Sequence, residues 1–249
     1  MSTTVLWKLR KVTTIVRKSS IVQTIVFAEI KAEGLEIKNL SPDFHVRWNS
    51  TFLMIDKTLK AKNIFNKITV SAGTITGLTS AQIEKLNNCT LSSEEWKYLE
   101  ILHHNLEPFF EATKMLSSRN LPTFSTAKFV ECSLFNFIEN ASTAKTFPGT
   151  SPTTAILFER EKMLRENLLS KMKQHIQDKI TMHQKKNTLI AAYLDPRTND
   201  CLTDEEKIDV GKELLKLFPT VRASPRLSSN AQTSVHILHT IFSPLKILI

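Results

Sequence analysis

The sequence predicts a mainly α-helical protein, and three observations carry that prediction. Apolar residues recur at steps of three and four through the middle and last thirds of the chain, the spacing of one helix face. Two strings, Ser92-Ser93-Glu94-Glu95 and Thr203-Asp204-Glu205-Glu206, have the form of a capping box, in which each side chain satisfies an amide that a helix start leaves without a partner. Only five glycines occur in 249 residues, too few to supply the left-handed positions that many tight β-turns require.

Taken in order, Trp7 to Lys31 reads as a first helix, with Leu9, Val12, Val16 and Ile25-Val26 on its apolar side and Gly34 as its stop. Asn49, Ser50 and Thr51 offer caps for a second helix through Ile68, with Phe52, Ile55 and Leu59 in one stripe. Residues 69–91 are rich in Ser, Thr, Gly and Asn and read as a loop with one short helix near 81–87. After the Ser92 box, Trp96, Leu99, Leu102, Leu106, Phe109, Thr113 and Leu116 mark a long helix. Pro108 lies inside it and removes one backbone hydrogen bond, so a kink is expected there.

Pro122 opens the next segment, in which Phe129, Leu134, Phe137 and Ile138 are expected to be buried. Beyond Pro148-Gly149 and Pro152, a long helix is expected to run to about Lys185, with Leu164, Leu168, Met172, Ile176 and Ile180 four apart. Thr188 to Leu194 is a short apolar run closed by Asp195-Pro196. The Thr203 box starts a final helix ending near Phe218. Residues 219–249 show neither a capped stripe nor a strand alternation and read as a poorly ordered tail.

Composition narrows the function classes. Neither G-x-G-x-x-G nor G-x-x-x-x-G-K occurs, which speaks against dinucleotide and P-loop chemistry. Cys89, Cys132 and Cys201 are far apart and never form C-x-x-C, so neither a disulfide framework nor a zinc ribbon is indicated. No apolar stretch is long enough to span a bilayer, and the N-terminus lacks a signal-peptide core, so a soluble intracellular protein without membrane contact is expected. Basic residues outnumber acidic ones by 33 to 24, a formal net charge of +9, which favours polyanionic partners. The excess is concentrated: residues 1–28 carry Lys8, Arg10, Lys11, Arg17 and Lys18 and no acid.

Arg47-Trp48 is the most distinctive pair. A Trp beside an Arg offers a stacking face and a phosphate fork, although a core Trp covered by an Arg stem is the bland alternative. Asp43 and Asp56 flank it and form only a weak candidate for holding a cation. His103-His104 point about 100° apart on one helix and cannot easily share a metal. No catalytic or metal site is assigned.

The strings DFHVRWNSTFLMID, LSSEEWKYLEILHHNLEPFFEATKMLSS, LPTFS, LRENLLSKMKQHI and TLIAAYLDPR, in that order between Trp7 and Phe218, resemble the hAT superfamily of DNA transposases, and most closely its domesticated BED-type zinc-finger relatives. The resemblance implies the helical insertion domain of a hAT transposase attached to a partial ribonuclease-H-like core: residues 1–48 the core remnant, 49–218 the all-helical insertion, 219–249 the tail. Complete members hold Mg²⁺ or Mn²⁺ on three carboxylates, two of them from strands upstream of this region, and also carry a C-terminal dimerisation segment. The expectation is therefore a truncated, catalytically incompetent chain with no cofactor and residual DNA binding in the nucleus, with the cytoplasm as the alternative location. Arg47, Trp48, Lys8, Arg10, Lys11, Arg17 and Lys18 are the expected DNA contacts. The alternative is a helical protein-interaction module that self-associates or binds full-length hAT-type relatives.

Overall fold

The protein is described from a computed structural model, which covers residues 2–37, 40, 48–118, 123–145 and 152–217. The described residues form ten α-helices and three short 3₁₀ turns, with no strand among them. In chain order the helices are α1 (Ser2–Lys18), α2 (Ser20–Ala32), α3 (Trp48–Lys60), α4 (Lys62–Val70), α5 (Ser80–Asn87), α6 (Ser93–Leu116), α7 (Thr123–Glu139), α8 (Pro152–Lys179), α9 (Met182–Leu194) and α10 (Asp204–Leu217). The chain divides into two compact units. The first holds the described residues up to Glu107 together with Lys145 and 152–161, and the second holds the rest from Pro108.

The first unit is built on α1. Val5, Leu6, Leu9, Val12 and Val16 are buried along one side of it, and α1 packs on α2, α3 and α5. The expected first helix is two helices. Ser19 adopts an extended conformation and its Oγ accepts from the Val22 amide, which ends α1 and caps α2 in a single residue. The Gly34 stop is present as expected: its φ is +64°, its N–H donates to the Lys31 carbonyl and that of Leu35 to the Ile30 carbonyl. This is the crossed pair of a left-handed helix end, for which glycine carries no Cβ penalty.

The expected helix from 49 to 68 is also two, α3 and α4, separated at Ala61, which is fully buried. Phe52, Ile55, Ile64, Phe65 and Ile68 are buried behind them. The Ser92 capping box is intact, with Ser92 Oγ accepting from the Glu95 amide and Glu95 Oε2 from the Ser92 amide. From it α6 places Trp96, Leu99, Ile101 and Leu102 in the core. Asn105, fully buried, donates to Glu161 Oε1 at 3.1 Å.

The second unit rests on α7, which packs against α9, with α10 on α9. Val130, Leu134 and Ile138 are buried on α7, whereas Phe129, expected inside, is exposed. The long helix expected to reach Lys185 stops at Lys179. Thr181 and Gln184 form a capping box that starts α9, so the apolar run from Thr188 is the second half of a helix. Pro108 sits inside a continuous α6 at the first residue of this unit. The 219–249 tail lies outside the described residues.

Candidate nucleic-acid interface

Because the buried residues of α1 fix its rotation, its outward side is fixed as well. Trp7, Lys11, Thr14 and Lys18 follow at steps of four, three and four and are all exposed, which is one stripe of a 3.6-residue helix. Arg17 is exposed beside it, and Arg10 is half-buried. No acid enters this surface from α1, and the first in α2 is Glu29, whose carboxylate is held by Lys67 at 2.6 Å.

The candidate contacts separate accordingly. Lys11, Arg17 and Lys18 lie on the open face. Lys8 turns inward: its Nζ donates to Glu95 Oε1 at 2.8 Å and to the Thr90 carbonyl at 3.0 Å. It thereby ties α1 to the cap of α6, and only 18% of its side chain is exposed. Trp48 is the first residue of α3 and 7% exposed, a core position that leaves no open ring face for a base. Arg47, like Asp43, lies outside the described residues.

What the sequence did not single out is the company Trp7 keeps. The residue is 48% exposed and forms one wall of an open groove of about 410 Å³ between α1 and α5. Lys11 and Lys18 from α1, Lys85 and Asn88 from the α5 side and Cys89 at the base complete it. No carboxylate lines it. Burial pushes the Cys89 thiol up, while the Lys8 and Lys11 ammonium groups pull the other way, as expected beside concentrated positive charge. The phase of Trp7 against Leu6, Leu9 and Val12 was legible in the sequence; the arrival of α5 opposite it was not.

Residues 1–105 match the family model of the ZBED1 RNase-like helical domain. That match supports a BED-type, hAT-related affiliation, and it stops two residues short of Glu107, where the first stretch of the first unit ends. The strings at 121–125, 164–176 and 188–197 lie beyond the ZBED1 match. No curated protein and no solved structure matches the chain.

Two acids within residues 1–105, Asp56 and Glu95, are engaged by the chain itself rather than arranged to share a pair of cations. Asp56 is held by Lys60 at 2.7 Å and by His103 Nε2 at 3.1 Å, and His103 in turn stacks on Phe52. Glu95 is occupied by Lys8 and the Ser92 amide. A paired-ion site needs carboxylates that converge with lone pairs free for the metals, and these are spent on cations and amides of the chain.

Proposed function

We propose that this chain is a hAT-transposase-derived helical module that contacts DNA in the nucleus without cutting it, through the acid-free face of α1. The observation that carries the reading is the outward row of Lys11, Arg17 and Lys18 on a helix inside the ZBED1-type match. Phosphate contacts of this kind give affinity with little sequence preference and fall steeply with salt. The ion pairs that engage Asp56 and Glu95 support a binding role over a catalytic one.

The test is fluorescence anisotropy on a labelled duplex across a salt series. Replacing Arg17 and Lys18 with Gln is expected to flatten the plot of log affinity against log salt by about 0.9 for each lost contact, and the same samples with Mg²⁺ are expected to leave the DNA uncut. An unchanged slope would remove α1 from the interface, and cleavage that copurifies with the chain would overturn the non-catalytic part. A second reading, association with another protein chain, is favoured by Ile208, Leu215 and Leu217, which stand exposed on α10. Sedimentation of wild type beside Leu215→Glu tests it: a concentration-dependent dimer lost in the variant supports it, and a monomer throughout refutes it.

A further inference from the structure

We infer that the groove between α1 and α5 is a seat for an unpaired nucleotide, in which the indole of Trp7 stacks a base while Lys11, Lys18 and Lys85 hold the flanking phosphates. The inference rests on the DNA reading above and adds the class of nucleic acid, single-stranded or frayed as against fully paired.

Three features of the groove define its occupant. The Trp7 ring is half-open to water, and the groove it lines sets Lys11, Lys18 and Lys85 beside it along with the apolar Ile15. Lys11 Nζ lies 5.4 Å from the centre of the Trp7 ring, so charge and aromatic surface act on the same ligand. Lys18 follows Lys11 by seven residues, two turns or about 10 Å along the helix. A strand with repeating phosphates can meet both ammonium groups along that row without the two stems bending toward one point. Among the described residues neither Lys18 nor Lys85 is in an ion pair, so their charge is directed to solvent and to whatever enters. Base stacking on an aromatic shelf within a cationic groove is how single strands are held without sequence readout.

The depression beside Trp96 makes the contrast. It is larger, about 910 Å³, but Trp96 is buried and donates its Nε1–H to Asn66. Two of its cations are engaged: Lys67 pairs with Glu29, and Lys62 lies 4.0 Å from Glu100. It has neither an open ring nor an acid-free wall.

The full chain is titrated with a fluorescein-labelled fifteen-residue oligothymidylate and, separately, with a duplex of equal length. Trp7→Ala is expected to weaken oligothymidylate binding roughly 5- to 150-fold, the range for removing a base-stacking aromatic, and to leave duplex binding within about twofold. Trp7→Phe is expected to recover most of the loss. Replacing Lys18 and Lys85 with Gln is expected to flatten the single-strand salt slope by about 1.4, near 0.7 per contact. Trp7 is exposed, so each variant is expected to melt with the wild type, which separates this result from misfolding. Wild-type affinity of Trp7→Ala for oligothymidylate overturns the inference while the duplex result above stands. Equal loss on both ligands overturns the single-strand preference. Tighter binding of an inositol polyphosphate or a phosphopeptide than of the oligonucleotide reassigns the groove to another anion. No binding to either DNA fells both readings together.

Discussion

The two units are held together by different means. Of the largest fully buried side chains, Phe65, Leu6, Leu9, Met54, Ile55, Ile64, Ile68, Leu86, Leu99, Ile101 and Leu102 all belong to the first unit, and only Phe109 to the second. The second has a core of its own, with Val130, Leu134, Leu168 and Met172 buried, and adds polar ties. Lys128, itself buried, donates to Glu206 at 2.9 Å. The Arg165 guanidinium donates to the carbonyls of Phe137, Ile138 and Asn140 at the end of α7 and lies over the Phe137 ring. Asp195 closes α9 by accepting from Ser125 and Arg197. A unit with a large close-packed apolar core is sensitive to lost volume, because packing leaves no slack. A unit tied by charge is sensitive to lost partners and to pH, because a buried charge without its counter-ion is costly.

That contrast is broken most directly in the core. Phe65→Ala removes a side chain that meets Trp96 edge to face and is expected to cost about 3–5 kcal/mol, read as a lowered denaturant midpoint by tryptophan emission. Trp7, Trp48 and Trp96 all lie in the first unit, so that signal reports it alone. A loss below about 1 kcal/mol would mean the first unit is not packed as described.

In the second unit, Lys128→Met keeps the length of the side chain and removes its charge. Burial works against the Lys128 charge, but the hydrogen bond to Glu206 and the nearby Glu131 outweigh it and raise its pKa. Without the ammonium, Glu131 and Glu206 face one another with Lys185 as the remaining nearby cation. The expected cost is about 1–3 kcal/mol, seen in far-ultraviolet ellipticity with tryptophan emission unmoved. A neutral or stabilising result would show that apolar packing substitutes freely for the pair.

Acid sharpens the comparison with the smallest step per group. Burial opposes ionisation of Glu206, but hydrogen bonds from Lys128 and from the Thr203 amide bring its pKa down overall. Hydrogen bonds from Arg197 and Ser125 depress Asp195, and that from Lys186 depresses Glu213. A carboxylate whose folded pKa is depressed contributes stability that is present above its unfolded value and lost as pH falls through the folded one. All three lie in the second unit, so its stability is expected to decline below about pH 4. Glu131, raised chiefly by burial, acts in the opposite sense and is relieved by protonation. Titration from neutral pH to pH 2 is expected to lose ellipticity before tryptophan emission shifts. Coincident transitions would contradict a specifically acid-labile second unit.

Much of the fold was legible wherever one residue's chemistry is local. The boxes at Ser92 and Thr203 and the left-handed Gly34 are read from a few adjacent residues, since each satisfies backbone groups within one turn. The boxes at Thr79-Gln82 and Thr181-Gln184 carry the same signal with glutamine in place of glutamate, and they explain the short α5 and the division of α8 from α9. The break at Ala61 has no such mark: no side-chain hydrogen bond caps it.

The site divides along the same line. Sequence alone determined that α1 is a basic, acid-free helix and that Phe52 and Ile55 share one stripe of α3, because helical periodicity assigns faces without knowledge of partners. That Trp48 is a core residue emerged only from the structure. Which lysines the fold keeps for itself was a tertiary decision. Lys8 and Lys11 are one turn apart with the same charge; Lys8 meets Glu95, 87 residues away, while Lys11 stays exposed with its ammonium over the Trp7 ring. Long-range packing likewise set Lys85 opposite Trp7 and made a groove from two helices. Spacing along a chain fixes direction around a helix axis, but only the neighbouring helix determines whether that direction ends in a carboxylate, a wall or open solvent.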